Sequence, residues 1–210
     1  MEYIRRYLKE VQMIVDAIDA KDVDLVLNGV AEIRGRGGRL FFLGVGGGAG
    51  NAAHAVNDFR KIACIESYAP TDNFSELSAR INDEGWDGIF ASWLAGSRLS
   101  GRDAIFVFSV GGGDAEKNIS ANIVKALSYA KSVGAKVFGI VGRDGGFTKK
   151  VADACIVVPT VNPDTVTPHA ESFQAVLWHL IVTHPAMRIG QMKWEAVDAT
   201  GGIYGFGLKK

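Results

Sequence analysis

Three times along this chain an apolar run ends in a cluster of glycines and is followed by a segment with helical spacing. Leu40-Phe41-Phe42-Leu43 leads into Gly44-Val45-Gly46-Gly47-Gly48-Ala49-Gly50-Asn51, Ala104 to Val110 into Gly111-Gly112-Gly113-Asp114, and Lys136 to Val141 into Gly142-Arg143-Asp144-Gly145-Gly146. Runs that are apolar at successive positions fit strands covered on both faces, as a parallel sheet requires. Strands that alternate with helices imply right-handed βαβ units with ligands at the carboxyl ends of the strands, which is where all three glycine clusters fall. Ala154 to Val158, ending at Pro159, supplies a further strand, and Cys64 to Tyr68 a weaker one. The fold class expected is α/β: a doubly wound parallel sheet of about five strands flanked by helices, with two N-terminal helices.

Those two helices come first. Ile4, Leu8, Val11, Ile14, Val15 and Ile18 recur at helical spacing over residues 3 to 20, and Val23, Val26, Leu27, Val30 and Ile33 do so in a second segment that Asp22 could cap. At 210 residues the chain matches one α/β domain. Residues 1–36 form a helical preface suited to oligomer contacts, 39–190 the α/β core, and 191–210 a glycine- and aromatic-rich tail. Lysine plus arginine and aspartate plus glutamate both number 23, so no net charge points to a nucleic-acid partner. No apolar run approaches the ~18 residues of a membrane span, and the charged start lacks a signal-peptide pattern, so a cytoplasmic protein with no membrane partner is expected. Cys64 and Cys155 lack the spacing of a disulfide or zinc framework and read as two buried thiols in a reducing compartment.

The chemistry concentrates on two helices. A strand, a glycine turn and a helix N-terminus form an anion site, because glycines let backbone approach a ligand and the helix end offers unpaired N–H groups. One turn into that first helix, His54 and Asp58 are four residues apart and share a face. On the last long helix, which should start near His169, Glu171 and His179 lie slightly more than two turns apart along one side. Two histidines and two carboxylates suit a zinc-like site, and the same set suits a general acid and base without metal. Either histidine alone would be unremarkable; two pairs at face-sharing spacing favour a functional reading. Asn82-Asp83-Glu84-Gly85 reads as a polar turn between two short helices, the first around Glu76 to Ile81 and the second from near Trp86 to Leu94.

The order of these features resembles the sugar isomerase (SIS) domain and, more closely, the phosphoheptose isomerases: Phe42-Leu43-Gly44-Val45-Gly46-Gly47-Gly48, His54 with Asp58, Asn82-Asp83, Ser109-Val110-Gly111-Gly112-Gly113, Gly142-Arg143-Asp144-Gly145-Gly146, and Glu171 with His179. The resemblance covers nearly the whole chain. It implies an aldose–ketose isomerase converting sedoheptulose 7-phosphate to a manno-heptose 7-phosphate through a cis-enediol. Asp58 and His179 stand in the places of the acid/base pair. Zinc, one per subunit, would be held by His54, Asp58, Glu171 and His179. The sugar phosphate would meet Gly46, Gly47, Gly48, Asn82, Asp83, Ser109, Gly111, Gly112 and Ser120. The resemblance also implies a homotetramer with sites at subunit contacts.

The chain departs from the pattern in several places. Gly48 stands for a serine, the loop 110–114 lacks the family's serines and threonines, and Ala115 to Ser120 looks like an insertion that leaves Ser120 as a late hydroxyl. Asp114 would repel a phosphate if it pointed inward. Aspartate replaces glutamate at 58, and glutamate replaces glutamine at 171. A non-catalytic SIS module that binds a sugar phosphate or a protein partner is the second reading. A dinucleotide-binding domain using Glu66 is a weaker third.

Overall fold

Strand formation follows the two-residue period of the sheet. In the computed structural model, which describes residues 1–190 and Met192, β1 (Leu40–Gly44) turns Leu40 and Phe42 to one face and Phe41 and Leu43 to the other. All four are buried, so the unbroken apolar run is the signature of a strand covered on both sides. β3 (Ala104–Ser109) and β4 (Lys136–Val141) follow the same rule, whereas in the edge strand β5 (Ala154–Val157) only Ile156 is buried, and β2 is only Ser67–Tyr68. Every pairing is parallel and the strand order is β2-β1-β3-β4-β5. The tail expected over 191–210 lies outside the described residues apart from Met192.

Two helical layers cover the sheet. One carries α1 (Glu2–Ala17), α2 (Ala20–Gly35), α3 (Gly47–Lys61) and α8 (Val166–Thr183), packed over a phenylalanine cluster of Phe42, Phe59, Phe106, Phe108 and Phe138. The opposite face is covered by α5 (Ile89–Gly96), α6 (Ala121–Ser132) and the short α7 (Gly146–Val151), with Phe90, Trp93, Ile123 and Leu127 buried there. α4 (Phe74–Glu84) has no buried residue.

Several local expectations are corrected. Asp19, and not Asp22, caps α2, its carboxylate accepting from the Lys21 amide at 2.8 Å. Asn82 and Asp83 are not in a turn: α4 runs through both and stops at Gly85, which takes the positive φ of +77° that ends the helix. α8 starts at Val166, three residues ahead of the expected His169, because the short 3₁₀ turn Pro163–Thr165 leads straight into it. Cys64 is exposed, at a positive φ of 54° where the chain leaves α3. Cys155 is half-buried, and burial pushes its thiol up to about 12.

Candidate functional site

The order 2-1-3-4-5 reverses direction between β1 and β3, so the connections leaving these two strands go to opposite faces and leave a crevice at their carboxyl ends. Gly46 caps α3 with φ +60°, a conformation that favours glycine. Gly48 is set by a different constraint: a Cβ there would lie 2.5 Å from the Phe108 carbonyl oxygen, so α3 rests against the β3 backbone with no room for a side chain. The crevice holds about 160 Å³ and is lined by Val45, Gly48, Ser109, Gly111, Ser120 and Glu171, among others.

The second glycine loop forms the far wall. Ser109 Oγ accepts from the Gly112 amide at 3.0 Å, and Ser120 stands in the left-handed region (φ 50°) at the head of α6, its hydroxyl making no cap bond. The insertion folds back on itself, with Asp114 and Ile119 exchanging backbone hydrogen bonds at 2.9 and 3.0 Å. Asp114 turns its carboxylate into that loop, where it accepts from the Lys117 and Glu116 amides; the first of these leads in holding it below the usual carboxylate range. Its negative charge is therefore bound by its own turn. The third glycine loop acts as a buttress: Phe147 N and Thr148 N and Oγ1 donate to the carbonyls of Gly113 and Gly112.

Further along α3, three side chains converge. One ligand atom each from His54, Asp58 and His179 lies within 4.8 Å of the others. Asp58 Oδ2 is 3.9 Å from His54 Nε2 and 3.7 Å from His179 Nε2, while Oδ1 accepts from Asn57 Nδ2 at 2.7 Å. His179 Nδ1 bonds the Ala175 carbonyl at 2.7 Å, which makes Nδ1 the protonated nitrogen and leaves Nε2 facing Asp58. Two imidazole nitrogens and a carboxylate oxygen, partly open to solvent, form a donor set that zinc accepts with coordination room to spare. The buried Trp178 lies beneath, its ring 4.8 Å from that of His54.

Two polar contacts set the register of the helices that bear these groups. Asn51 Nδ2 donates to the Glu171 carbonyl at 2.9 Å and to Gln174 Oε1 at 3.0 Å, tying α3 to α8. The buried carboxylate of Glu10 on α1 accepts from Asn162 Nδ2 (2.7 Å), Thr165 Oγ1 (2.9 Å) and His169 Nε2 (2.9 Å), fixing the start of α8. His169, led by its hydrogen bond, and the other two donors hold Glu10 down at about 2. Sequence reasoning missed these links, because each joins residues more than a hundred positions apart and follows no periodicity.

The structure thus brings His54, Asp58 and His179 together, and separately gathers Gly48, Ser109, Gly111 and Ser120 around the crevice. Glu171 joins the second group. Its carboxylate lies against Gly47, where an added methyl would overlap it, and it is not among the converging ligand atoms. Asn82 and Asp83 are exposed on the last turn of α4, bonded to each other at 2.8 Å, and do not line the crevice. Gly46, Gly47 and Gly112 belong to the loops without lining it.

No protein-family model matches the chain. A phosphoheptose isomerase of Rhodospirillum rubrum is 33% identical over 150 residues, 69% of this chain and 74% of that protein. Among solved structures, the phosphoheptose isomerase GmhA of Neisseria gonorrhoeae superposes with a TM-score of 0.73 at 21% identity, covering 86% of this chain and 92% of that one. The sugar isomerase domain of an RpiR transcription factor from Sphaerobacter thermophilus shares the fold at TM-score 0.53 and 15% identity, covering 85% and 87%. The convergent His/Asp/His cluster on α3 and α8, the two helices that also contribute to the switch-point crevice, and the extent of the sequence match agree: the chain belongs to the phosphoheptose isomerases, a family of aldose–ketose sugar-phosphate isomerases.

Proposed function

We propose that this enzyme interconverts sedoheptulose 7-phosphate and a manno-heptose 7-phosphate, with Asp58 and His179 carrying the protons. The observation that carries the reading is Asp58 facing both imidazoles. In the ketose-to-aldose direction the cycle starts with His179 as the imidazolium, protonated on both nitrogens: Asp58 takes a proton from C1 while His179 Nε2 gives one to the C2 carbonyl oxygen, which yields the cis-enediol. Asp58 then returns its proton to C2 and His179 takes the proton from the C1 hydroxyl, so the C1 carbonyl forms and both groups regain their starting states. His179 Nδ1 stays on the Ala175 carbonyl throughout, so proton traffic runs through Nε2 alone.

We also propose that His54 Nε2, His179 Nε2 and Asp58 Oδ2 hold one zinc ion. When bound, zinc would act as a Lewis acid on the substrate's oxygens. Asp58 can serve both purposes because its two oxygens differ: Oδ2 faces the imidazoles and Oδ1 accepts from Asn57. His179 has one free nitrogen, so ligation and proton relay exclude each other at any instant. Chelation followed by zinc addition separates the roles: activity that returns with one equivalent per chain assigns Nε2 to the metal, and activity untouched by chelation assigns it to the proton.

The direct test is turnover of sedoheptulose 7-phosphate followed by NMR. Asp58→Asn should lower kcat by roughly 10²- to 10⁴-fold with the folded state intact. Near-normal turnover in that variant would remove the assignment. Ligand binding without turnover across a panel of ketose phosphates would favour the sensing module, a use consistent with the fold of the RpiR sugar isomerase domain. No helix among the described residues is long and apolar enough to cross a membrane, and we read the enzyme as a cytoplasmic homotetramer.

A further inference from the structure

A second cavity adjoins the crevice along the second glycine loop and plays no part in the isomerisation. It holds about 540 Å³, against about 160 Å³ for the crevice, a volume usual for a small-molecule site. The loop 114–120, closed by the Asp114–Ile119 backbone pair, forms one wall, and the third glycine loop with α7 forms the other. Gly111 lines both spaces. Two kinds of surface meet in the cavity. Ile119, 54% exposed, and the half-buried Phe147 make an apolar part. Arg143 and Lys150 supply charge, and no hydrogen bond or ion pair from the described residues engages either side chain. Arg143 holds a left-handed backbone (φ 55°), uncommon outside glycine, and its Cδ lies 3.9 Å from where a Cβ on Gly111 would stand. Three carboxylates also line the space, but two are already engaged. Asp114 accepts from the Glu116 and Lys117 amides and pairs with Lys117 Nζ at 3.6 Å, and Asp144 accepts from the Gly146 amide at 3.1 Å. Glu116 is left facing two cations, so the balance is positive.

We propose that this cavity binds a nucleoside monophosphate, at a site separate from the substrate crevice. Arg143 and Lys150 take the phosphate, and Ile119 and Phe147 take the base. A guanidinium offers paired N–H donors that match phosphate oxygens, and a lysine ammonium adds a mobile point charge. The apolar part sets the class of ligand. A bare phosphate would leave Ile119 and Phe147 in water, whereas a phosphate that carries a flat ring covers them and stacks on the Phe147 face. Neither Arg143 nor Lys150 lines the crevice, so the two sites fill independently. The proposal does not depend on which sugar phosphate the crevice accepts.

Isothermal titration of the full chain with AMP, with and without saturating sedoheptulose 7-phosphate, tests this. AMP should bind in both conditions, and inorganic phosphate should bind about 10-fold more weakly than AMP. Arg143→Ala should weaken AMP by about 10-fold or more. Ile119→Ser should weaken AMP by about 3- to 10-fold and leave inorganic phosphate within about twofold. Circular dichroism checks that both variants keep the fold, and the KM for the sugar phosphate should stay within about threefold of wild type in each. No AMP binding up to about 10 mM overturns the proposal. So does AMP binding that Arg143→Ala leaves unchanged, or that saturating sugar phosphate abolishes. Equal affinity for AMP and inorganic phosphate overturns the assignment of a nucleotide. A protein that turns over no ketose phosphate would sink the isomerase reading alone, because the titration without sugar phosphate reads the cavity by itself.

Discussion

Gly48 shows how a single residue can be chosen by backbone and not by ligand. A serine in its place would add a hydroxyl to the loop, yet its Cβ would meet the Phe108 carbonyl at 2.5 Å, so α3 would have to lift from β3. Gly48→Ser should therefore lower stability by about 1–3 kcal/mol in urea unfolding; a variant as stable as wild type would show that the helix can shift freely. Gly47 differs, because the group above it is the end of the flexible Glu171 side chain. The convergence of His54, Asp58 and His179 was legible in residue spacing, since i,i+4 places His54 and Asp58 on one face and His179 lies on the helix packed against them. For Glu171 spacing says less: eight residues carry a side chain about 12 Å along the axis and about 80° around it, and spacing alone does not say which station a long side chain takes.

At the scale of elements, the strands were legible because burial on both faces leaves an unbroken apolar run, as at Phe41–Leu43 and Ile105–Phe108. α4 was not, because Asn82-Asp83-Glu84-Gly85 has turn composition while Asn73 at one end and Gly85 at the other define a helix of eleven residues. The docking of α1 on the start of α8 carries a pH signature. Glu10 is held at about 2 in the folded protein against an ordinary 4.5, so its charged form is favoured by folding. That stabilisation is complete above about 4.5 and disappears as the pH falls towards 2. The stability gap between wild type and Glu10→Gln should then be constant at neutral pH and narrow through this window, which denaturant titration at a series of pH values will show. A gap independent of pH would mean that the charge of Glu10 contributes nothing.

For the whole molecule, the alternation of strands and helices gave the layers and the ligand edge, but the strand order came from packing between distant segments. The same holds for assembly. Ile4, Leu8 and Val15 share one side of α1 and are 55%, 58% and 56% exposed, an apolar stripe that the chain's own core leaves outside. If it is the tetramer contact proposed above, Leu8→Glu should shift the mass in light scattering from four chains towards smaller species, and an unchanged mass would remove α1 from the interface.

The anchor of α1 also bears on how the chain reaches its final form. Asn162, Thr165 and His169 lie 152, 155 and 159 positions from Glu10, so the donors that bury this carboxylate are made long after it. Closing so long a loop costs entropy before any contact rewards it. Although α1 is made well before α8, it is consequently among the last helices to be secured, and until α8 forms its start it must carry an ionised Glu10 in water and an apolar stripe with nothing to cover it.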